Sequence, residues 1–239
     1  MLRGRSDRSL TMLRIAESPT PSEQFSPPSA AELAELRDEF GKSHCVVLPG
    51  LLDRALADEL ARRVEQSDFY RLEHEGVGVE ACMESNATLA WLLLLVNDKR
   101  VRDLVESISG CEQIGHFDGR VYRLEPATEH YDSWHSDLVD NRLVALSINL
   151  GTQQYEGGAL QIRDRRTNEM AERRNPELGD ALLFELGEYL EHRVMPVAGQ
   201  NPRTVFAGWF KGGDELPLGT TFRPVAPSRT GGVDATDLG

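Results

Sequence analysis

The sequence lacks the features that mark several large classes of protein. Its 239 residues include only three cysteines, Cys45, Cys82 and Cys111, which lie far apart and form no Cys-x-x-Cys pair. A disulfide scaffold or a cysteine zinc site is therefore not expected. The longest apolar run, LAWLLLLV over 89–96, is much shorter than the roughly 20 residues of a membrane span. These absences predict a cytoplasmic protein in a reducing compartment, with no membrane partner.

An excess of basic residues is also missing. The chain has 26 Lys and Arg against 39 Asp and Glu, which gives a net charge of −13. Because nucleic-acid binding usually needs a basic face, no nucleic-acid partner is expected. The remaining composition, 40% hydrophobic and 27% charged, is that of an ordinary globular protein with enough chain for a sizeable core.

Both ends of the chain differ in composition from its middle. Residues 1–28 contain several arginines and prolines but no apolar core of a secretory signal, so they are predicted to form a disordered tail. Whether residues 1–11 belong to the native protein stays open, since translation could begin at Met12. Residues 214–239, rich in Gly, Pro and Thr, are predicted to be a flexible tail. One domain is expected between them, over 29–213.

Helix signals dominate the stretch 29–110, which we interpret as helical support for the rest of the domain. Ser29 and Glu32 have the spacing of a capping box, and Gly41 is the predicted stop of this first helix. HCVVLPG over 44–50 is a short β-rich run. A second helix is predicted to begin near Asp53, and two more over about 86–97 and 98–109, ending at Gly110.

Short β-like segments follow from residue 111 onward, separated by Gly, Pro, Asn and Asp. They are GRVYRL (119–124), RLVALSINL (142–150), ALQIRD (159–164), DALLFEL (180–186), HRVMPV (192–197) and RTVFAGWF (203–210). In 142–150 large apolar residues alternate with small or polar ones, which is the period of a strand. Helices first and strands afterwards indicate an α+β fold, with a sandwich or jelly roll over 111–213.

Chemistry-bearing residues come just before and within these segments. In WHSD, the side chains of His135 and Asp137 point to the same side if the segment is extended. His192 offers a third ligand, and two histidines with one carboxylate suit Fe(II), although zinc is chemically possible. Arg203 lies in an apolar strand and needs an anion, either a bound carboxylate or an internal partner such as Glu185 or Asp180.

Five features in order give the sequence a resemblance to a known family. They are WHSD, then RLVALSINL, then YEGGALQI (155–162), then PELGDALLFE (176–185) leading to EHRVMPV, and finally PRTVFAGWF. The region from about Tyr122 to Phe210 resembles the Fe(II)- and 2-oxoglutarate-dependent dioxygenases, in particular their prolyl-4-hydroxylase-like branch. The resemblance implies a double-stranded β-helix, also called a jelly roll or cupin-like fold.

The resemblance also implies residue roles. His135, Asp137 and His192 would be the catalytic iron ligands, and Arg203 would bind the far carboxylate of 2-oxoglutarate. The family often has a tyrosine near Ile148 or Asn149 that this chain lacks, so Asn149, Ser147 or Tyr122 would supply the second contact to 2-oxoglutarate. HYD over 130–132 is a competing His-x-Asp, and we expect His130 to line the entrance instead.

The expected reaction is hydroxylation of an unactivated C–H bond in a small molecule or a peptide or protein residue. It would use Fe(II), 2-oxoglutarate and O2, with decarboxylation of 2-oxoglutarate to succinate. Two alternatives are a metal-dependent hydrolase that uses the same ligands and a catalytically idle jelly-roll sensor that only binds the metal and 2-oxoglutarate. The sequence predicts neither the substrate nor the oligomeric state.

Overall fold

A computed structural model describes residues 28–139, 141–174 and 177–213, so nearly all of the predicted N-terminal tail and the whole C-terminal tail lie outside the described residues. Within these ranges the chain forms four helices: α1 (Ala30–Ser43), α2 (Arg54–Glu65), α3 (Ala87–Val96) and α4 (Lys99–Ser109). None of them combines the length and the apolar character that crossing a bilayer would require.

Side-chain caps set the starts of these helices as predicted. The Glu32 N–H donates to the Ser29 hydroxyl, and the Ser29 N–H donates to the Glu32 carboxylate, which is the expected capping box. Asp53 caps α2 without a reciprocal bond, since its carboxylate accepts from the Leu56 N–H. Gly110 follows α4 in a left-handed conformation, as its position predicted.

The predicted stop of α1 at Gly41 is wrong. The helix continues to Ser43, and His44 is the left-handed residue that ends it. A glycine inside a helix costs only about 1 kcal/mol, and the His44 N–H donates to the Phe40 carbonyl at 2.8 Å, which closes the last turn beyond Gly41.

The main sheet combines strands from both halves of the chain. In space the strands follow the order β1 (Cys45–Leu48), β10 (Ala181–Glu185), β6 (Arg142–Asn149), β13 (Arg203–Gly212), β4 (Ile114–Leu124), β3 (Gly78–Met83) and β2 (Phe69–His74), with β5 (Tyr131–Asp132) also paired to β3. The pairs along this order are antiparallel. The β2–β3 hairpin is not predicted by the sequence, because 66–85 carries no clear pattern.

A second, smaller sheet faces part of the main one. It has the order β11 (Leu190–Val194), β8 (Leu160–Asp164) and β9 (Met170–Arg173), and a short pair, β7 (Glu156–Gly157) with β12 (Val197–Ala198), lies at its end. An apolar cluster that includes Ala145 and Leu182 of the main sheet and Leu160 and Val194 of the small one joins the two. The predicted α+β fold with a jelly-roll core is therefore confirmed.

The helices cover the other side of the main sheet. Strand alternation directs Phe117, Ile148 and Phe206 to that side, where they join side chains of α1–α4 in one continuous core. Phe117 alone contacts two aromatic rings, with its centroid 5.5 Å from that of Phe206 and 4.8 Å from that of Phe210. This layer fixes the sheet whose opposite face carries the candidate site.

Candidate active site

Two histidines lie side by side where the segment before β6 meets β11. The His135 N–H donates to the His192 carbonyl at 3.1 Å, and the His192 N–H donates back to the His135 carbonyl at 2.9 Å. This reciprocal pair is that of opposite residues in antiparallel strands, whose side chains share a face. The two imidazole centroids are consequently 4.3 Å apart.

The carboxylate of Asp137 completes this group. Its Oδ2 lies 3.3 Å from His192 Nε2 and 3.8 Å from His135 Nε2. One donor atom from each of the three residues lies within 4.8 Å of the others, so a single cation could contact all three. The structure thus brings together the His-x-Asp motif and the later histidine that the sequence singled out. Two imidazoles and one carboxylate are chemically suited to Fe(II) or zinc.

Neighbouring groups orient both ends of the His-x-Asp motif. His135 Nδ1 lies 2.7 Å from the Ser133 carbonyl and 3.4 Å from a carboxylate oxygen of Asp132. Nδ1 is therefore the nitrogen that carries the proton and donates, which leaves Nε2 as the ligand atom. Such hydrogen bonds fix the tautomer and ring orientation of metal-binding histidines.

The oxygens of Asp137 are held by two partners outside the group. The indole N–H of Trp209 donates to Oδ2 at 2.8 Å, and Arg142 donates to Oδ1 at 3.2 Å. The Arg142 guanidinium also lies 3.6 Å from the centroid of the Trp209 ring. Asp137 is therefore held in one orientation before any ligand binds.

The charges of these groups are strongly coupled. Burial lowers the pKa of His135, but Asp137 and Asp132 outweigh this effect and raise that pKa to about 9. Burial raises the pKa of Asp137, yet the two imidazoles hold that pKa well below its usual range. At neutral pH Asp137 is therefore a carboxylate and His135 carries a second ring proton, on Nε2, which a cation that binds there must displace.

Arg203 enters the same cavity from β13. The residue is 1% exposed, and its guanidinium donates to the hydroxyl of Tyr122 at 3.0 Å and to that of Ser147 at 3.3 Å. Its Nε is buried and makes no hydrogen bond. A buried guanidinium whose hydrogen bonds go only to hydroxyl groups lacks a directly paired carboxylate, which is costly unless a ligand supplies the anion.

The internal partners considered for Arg203 are engaged elsewhere. Glu185 lies 2.7 Å from His44 Nδ1, and Asp180 accepts from the Gly50 N–H at 2.7 Å. Over the described part of the chain, no carboxylate lies within ion-pair distance of Arg203. The alternative of an internal ion pair with Glu185 or Asp180 is therefore wrong.

The turn that begins YEGGALQI packs tightly against Arg203. Gly158 has φ +59°, and a Cβ at this position would lie 2.7 Å from the Tyr155 ring and 2.9 Å from Arg203 Cδ. Only glycine suits this backbone conformation and this close approach. Tyr155 is itself buried, so the turn packs against the aliphatic part of the Arg203 side chain, a contact that the sequence does not predict.

These groups share a cavity of about 290 Å³. Because alternate residues of a strand face the same side, the main sheet contributes regularly spaced residues to it. Among the lining residues are Glu80, Arg120, Tyr122, Ala145, Ser147, Leu182, Phe184, Arg203, Ala207 and Trp209 from the main sheet, and Leu160, His192 and Val194 from the small sheet. The predicted metal ligands and Arg203 therefore line one space.

The remaining predicted residues differ in whether they line the cavity. Tyr122 lines the cavity and contacts Arg203, whereas Asn149 is not among the described lining residues, and its side-chain oxygen accepts from the Gly151 N–H at 2.9 Å. His130, expected at the entrance, is not a lining residue either, and its Nδ1 accepts from the Glu125 N–H. The competing HYD segment thus contributes a supporting carboxylate, Asp132.

Comparison with protein families supports the resemblance that the motifs predicted. Residues 119–211 match the family model of the 2OG-Fe(II) oxygenase superfamily. This match spans β4 to β13 and includes all three candidate metal ligands and Arg203. A search of curated proteins finds no significant match.

Several solved structures share the fold. A prolyl-4-hydroxylase from Pseudomonas putida has a TM-score of 0.57 at 19% identity, covering 75% of this chain and 98% of its own. A Trichoplax adhaerens prolyl hydroxylase, in complex with a hypoxia inducible factor oxygen degradation domain peptide, has a TM-score of 0.56 at 13% identity and covers 76% and 90%. The epimerase SnoN, in complex with Fe3+, alpha ketoglutarate and nogalamycin RO, has a TM-score of 0.57 at 16% identity and covers 82% and 93%.

Proposed function

We propose that the protein is an Fe(II)- and 2-oxoglutarate-dependent dioxygenase that hydroxylates an unactivated C–H bond of a small molecule or of a peptide or protein residue. The observation that carries this proposal is the pairing of two features in one cavity. One is the group of His135, Asp137 and His192, and the other is the buried Arg203 that has no carboxylate partner among the described residues.

The residues present fit an iron ion. His135 Nε2, Asp137 Oδ2 and His192 Nε2 offer two imidazoles and one carboxylate from a single side of the cavity. This donor set leaves other coordination positions open for a cosubstrate and O2, which suits non-haem Fe(II). Trp209, Arg142 and the Ser133 carbonyl would keep the three ligands in place, as outer hydrogen bonds do in metal sites.

The residues also fit a small dicarboxylate. One carboxylate of 2-oxoglutarate would bind Arg203, with Tyr122 and Ser147 beside it, and the keto acid at the other end would lie toward the metal. A planar guanidinium binds a carboxylate through two parallel hydrogen bonds. The guanidinium of Arg203, whose described hydrogen bonds go only to the hydroxyl groups of Tyr122 and Ser147, would supply the donors.

Bound iron and 2-oxoglutarate, together with O2, would supply the oxidising chemistry, with one oxygen atom entering the substrate and CO2 leaving 2-oxoglutarate to give succinate. The protein's own contribution would be to bind, to orient and to exclude water. Leu160, Leu182 and Phe184 line the cavity beside the metal group, and such apolar walls strengthen the charge interactions inside. We propose a cytoplasmic location, which is in keeping with the three widely separated cysteines of the sequence.

The test is the formation of succinate. Metal-free protein would be loaded anaerobically with Fe(II) and 2-oxoglutarate, exposed to O2, and assayed for succinate by mass spectrometry, with zinc in place of iron as the control. We expect succinate only with Fe(II) and O2 present. Binding of metal and 2-oxoglutarate without succinate would instead identify a sensor and contradict the proposal.

A candidate substrate would then be examined by product mass. Hydroxylation adds one oxygen atom to the substrate, whereas epimerisation, the activity named for SnoN, leaves the mass unchanged. A product of unchanged mass would be compatible with membership of the oxygenase family but would contradict the assignment as a hydroxylase.

A further inference from the structure

Little backbone pairing holds the segment that carries His135 and Asp137. Residues 133–139 form no regular strand, and in the described ranges this segment pairs with β11 only through His135 and His192. Before this point the Ser133 N–H donates to the Val77 carbonyl at 2.8 Å. A side chain on so loosely paired a segment needs further contacts if it is to keep one position.

Trp134 makes such contacts with the small sheet. The centroid of its ring lies 4.3 Å from the guanidinium of Arg163 and 4.6 Å from that of Arg193. Arg163 belongs to β8 and Arg193 to β11. Because a guanidinium within about 6 Å of an aromatic ring is attracted to its face, Trp134 ties its segment to both of these strands.

Strand alternation places these contacts directly behind the two histidines. Since His135 pairs with His192, the next antiparallel step brings Trp134 opposite Arg193. Neighbouring residues of an extended chain point to opposite faces. The imidazoles therefore face the cavity, whereas Trp134 and Arg193 lie on the outward face, the face of the small sheet that is turned away from the cavity. A shift of Trp134 along this face would carry His135 with it.

The two arginines are themselves held in place. Glu191 Oε2 accepts from Arg163 Nε at 2.8 Å and from its Nη2 at 2.5 Å, and Gln161 Oε1 accepts from Arg193 Nε at 2.9 Å. In the register of β11 and β8, Glu191 lies opposite Arg163 and Arg193 lies opposite Gln161. The ring of Trp134 thus meets two guanidinium groups that already have fixed positions.

A role in the apolar core explains Trp134 less well. The residue is half-buried, and neither of the two apolar clusters formed by the described residues includes it. It is also absent from the described residues that line the cavity, so it would not touch the metal or the substrate. Its effect on the site must pass through its neighbour His135.

We propose that Trp134 is a positioning residue. Held against Arg163 and Arg193 on the outward face, it would keep His135 in register with His192 so that both imidazoles meet one metal ion. This inference rests on the proposed function, because it takes His135 to be a metal ligand. Contacts behind metal ligands commonly change metal affinity by about 10- to 100-fold.

The first test measures the affinity for Co²⁺ by competition with a chelator. Trp134→Ala should weaken Co²⁺ binding by about tenfold, whereas Trp134→Phe keeps a ring for the arginines and should recover most of the loss. The visible absorption of bound Co²⁺, which depends on the arrangement of its ligands, should change in Trp134→Ala and not in Trp134→Phe. Unchanged affinity and absorption in folded Trp134→Ala protein would overturn the proposal.

The matched control is Tyr189→Ala. Tyr189 is an exposed aromatic residue just before β11, and its ring centroid lies 5.9 Å from the guanidinium of Arg166. It therefore loses a ring–guanidinium contact at the same sheet without touching Trp134, and Co²⁺ binding should be that of the wild type. A tenfold loss in Tyr189→Ala would mean that the effect is not specific to Trp134, which would contradict the assignment.

A double variant keeps the test valid if Trp134→Ala does not fold. Arg163→Met combined with Arg193→Met removes both guanidinium groups but retains unbranched side chains beside Trp134. Co²⁺ affinity should again fall by about tenfold. Wild-type affinity in this double variant would refute the role given to the two arginines.

Hydrogen exchange of metal-free protein examines the register without any metal. The amides of His135 and His192 donate to each other's carbonyls, so their exchange reports this pairing. Trp134→Ala should speed both exchange rates by about tenfold, while the amide of Phe206 in the main sheet keeps its rate. Unchanged exchange at the two histidines would contradict the proposal. Faster exchange with unchanged Co²⁺ affinity would show a purely structural role and would also overturn it.

These measurements separate the inference from the proposed function. If Trp134→Ala weakens Co²⁺ binding and loosens the histidine pair, but the wild type forms no succinate, the positioning role stands and the oxygenase proposal fails. Succinate formation by the wild type, with unchanged Co²⁺ affinity in Trp134→Ala, would refute the positioning role and leave the oxygenase proposal intact.

Discussion

The two faces of the main sheet carry different mixtures of side chains, although the same strands build both. β4, β6 and β13 contribute to the helix-covered face the buried apolar residues Phe117, Val121, Ile148, Phe206 and Phe210. To the cavity face they contribute Arg120, Tyr122, Ser147, Arg203 and Trp209. Strand alternation therefore separates the residues that stabilise the fold from those that could bind ligands.

The two faces also differ in how burial of their side chains affects the stability of the fold. The helix-covered face is close-packed and apolar, so its burial stabilises the fold directly. The cavity face buries charged groups such as Arg203, and burial of an uncompensated charge is unfavourable. Such a face contributes less to stability than the helix-covered face does.

The largest difference between the two faces is expected when one of the proposed metal ligands on the cavity face is removed. His192→Ala removes one of three proposed ligands and should reduce iron binding and succinate formation to background, because two protein ligands hold Fe(II) weakly. Iron content after gel filtration is the measurement. The control is His130→Ala, whose Nδ1 accepts only from the Glu125 N–H and which should retain iron. Loss of iron from His130→Ala, with retention in His135→Ala, would show that the wrong His-x-Asp was chosen.

On the other face, Phe117→Ala should lower stability without changing the site. The side chain is fully buried between two aromatic rings, and its truncation should cost about 3–5 kcal/mol of unfolding free energy. Urea denaturation gives this value. The folded variant should keep the iron and 2-oxoglutarate affinities of the wild type. A large drop in either affinity would mean that the two faces are not independent.

Much of this separation could be predicted from the sequence. WHSD, His192 and Arg203 stand at the borders of strand-like segments, and the period of RLVALSINL assigns Ser147 and Ile148 to opposite faces. The same rule applied to β13 places Trp209 on the side of Arg203, since an even number of residues separates them. The residue type alone nevertheless favours a core position for Trp209, because aromatic residues in strands belong more often to the core than to a site.

The remaining features of the cavity face could not be predicted from the sequence, because they depend on contacts between segments that lie far apart in the chain. Glu80 meets Arg120 only because the β2–β3 hairpin joins the edge of the sheet, and nothing local in 66–85 indicates that pairing. Tyr155 and Arg203 both pack against Gly158, where a Cβ would meet each of them. Asn149, predicted as a 2-oxoglutarate contact, has the correct parity, but its side chain caps the Gly151 N–H at the end of its strand.

A smaller effect is expected when the charge on the cavity face is removed. Arg203→Ala leaves one end of a dianion unpaired in a partly dry pocket, which should weaken 2-oxoglutarate binding by on the order of 2–5 kcal/mol. Arg203→Lys should restore only part of this loss, because an ammonium group cannot form two parallel hydrogen bonds. Anaerobic titration of 2-oxoglutarate is the measurement, and unchanged affinity in Arg203→Ala would refute the assignment.

The smallest effect is expected at Trp209, which tests whether the cavity face orients the metal ligands. Trp209→Phe removes the N–H that donates to Asp137 at 2.8 Å but keeps an aromatic ring for Arg142 to contact. Loss of such an outer hydrogen bond typically weakens metal binding by about 10- to 100-fold. Competition with a chelator would measure the iron affinity. Trp91→Phe is the matched control, because Trp91 packs against the helix-side core and lies over Arg63, away from the residues that line the cavity. If both variants bind iron equally well, the indole of Trp209 only fills space, and the orientation of Asp137 depends on Arg142 alone.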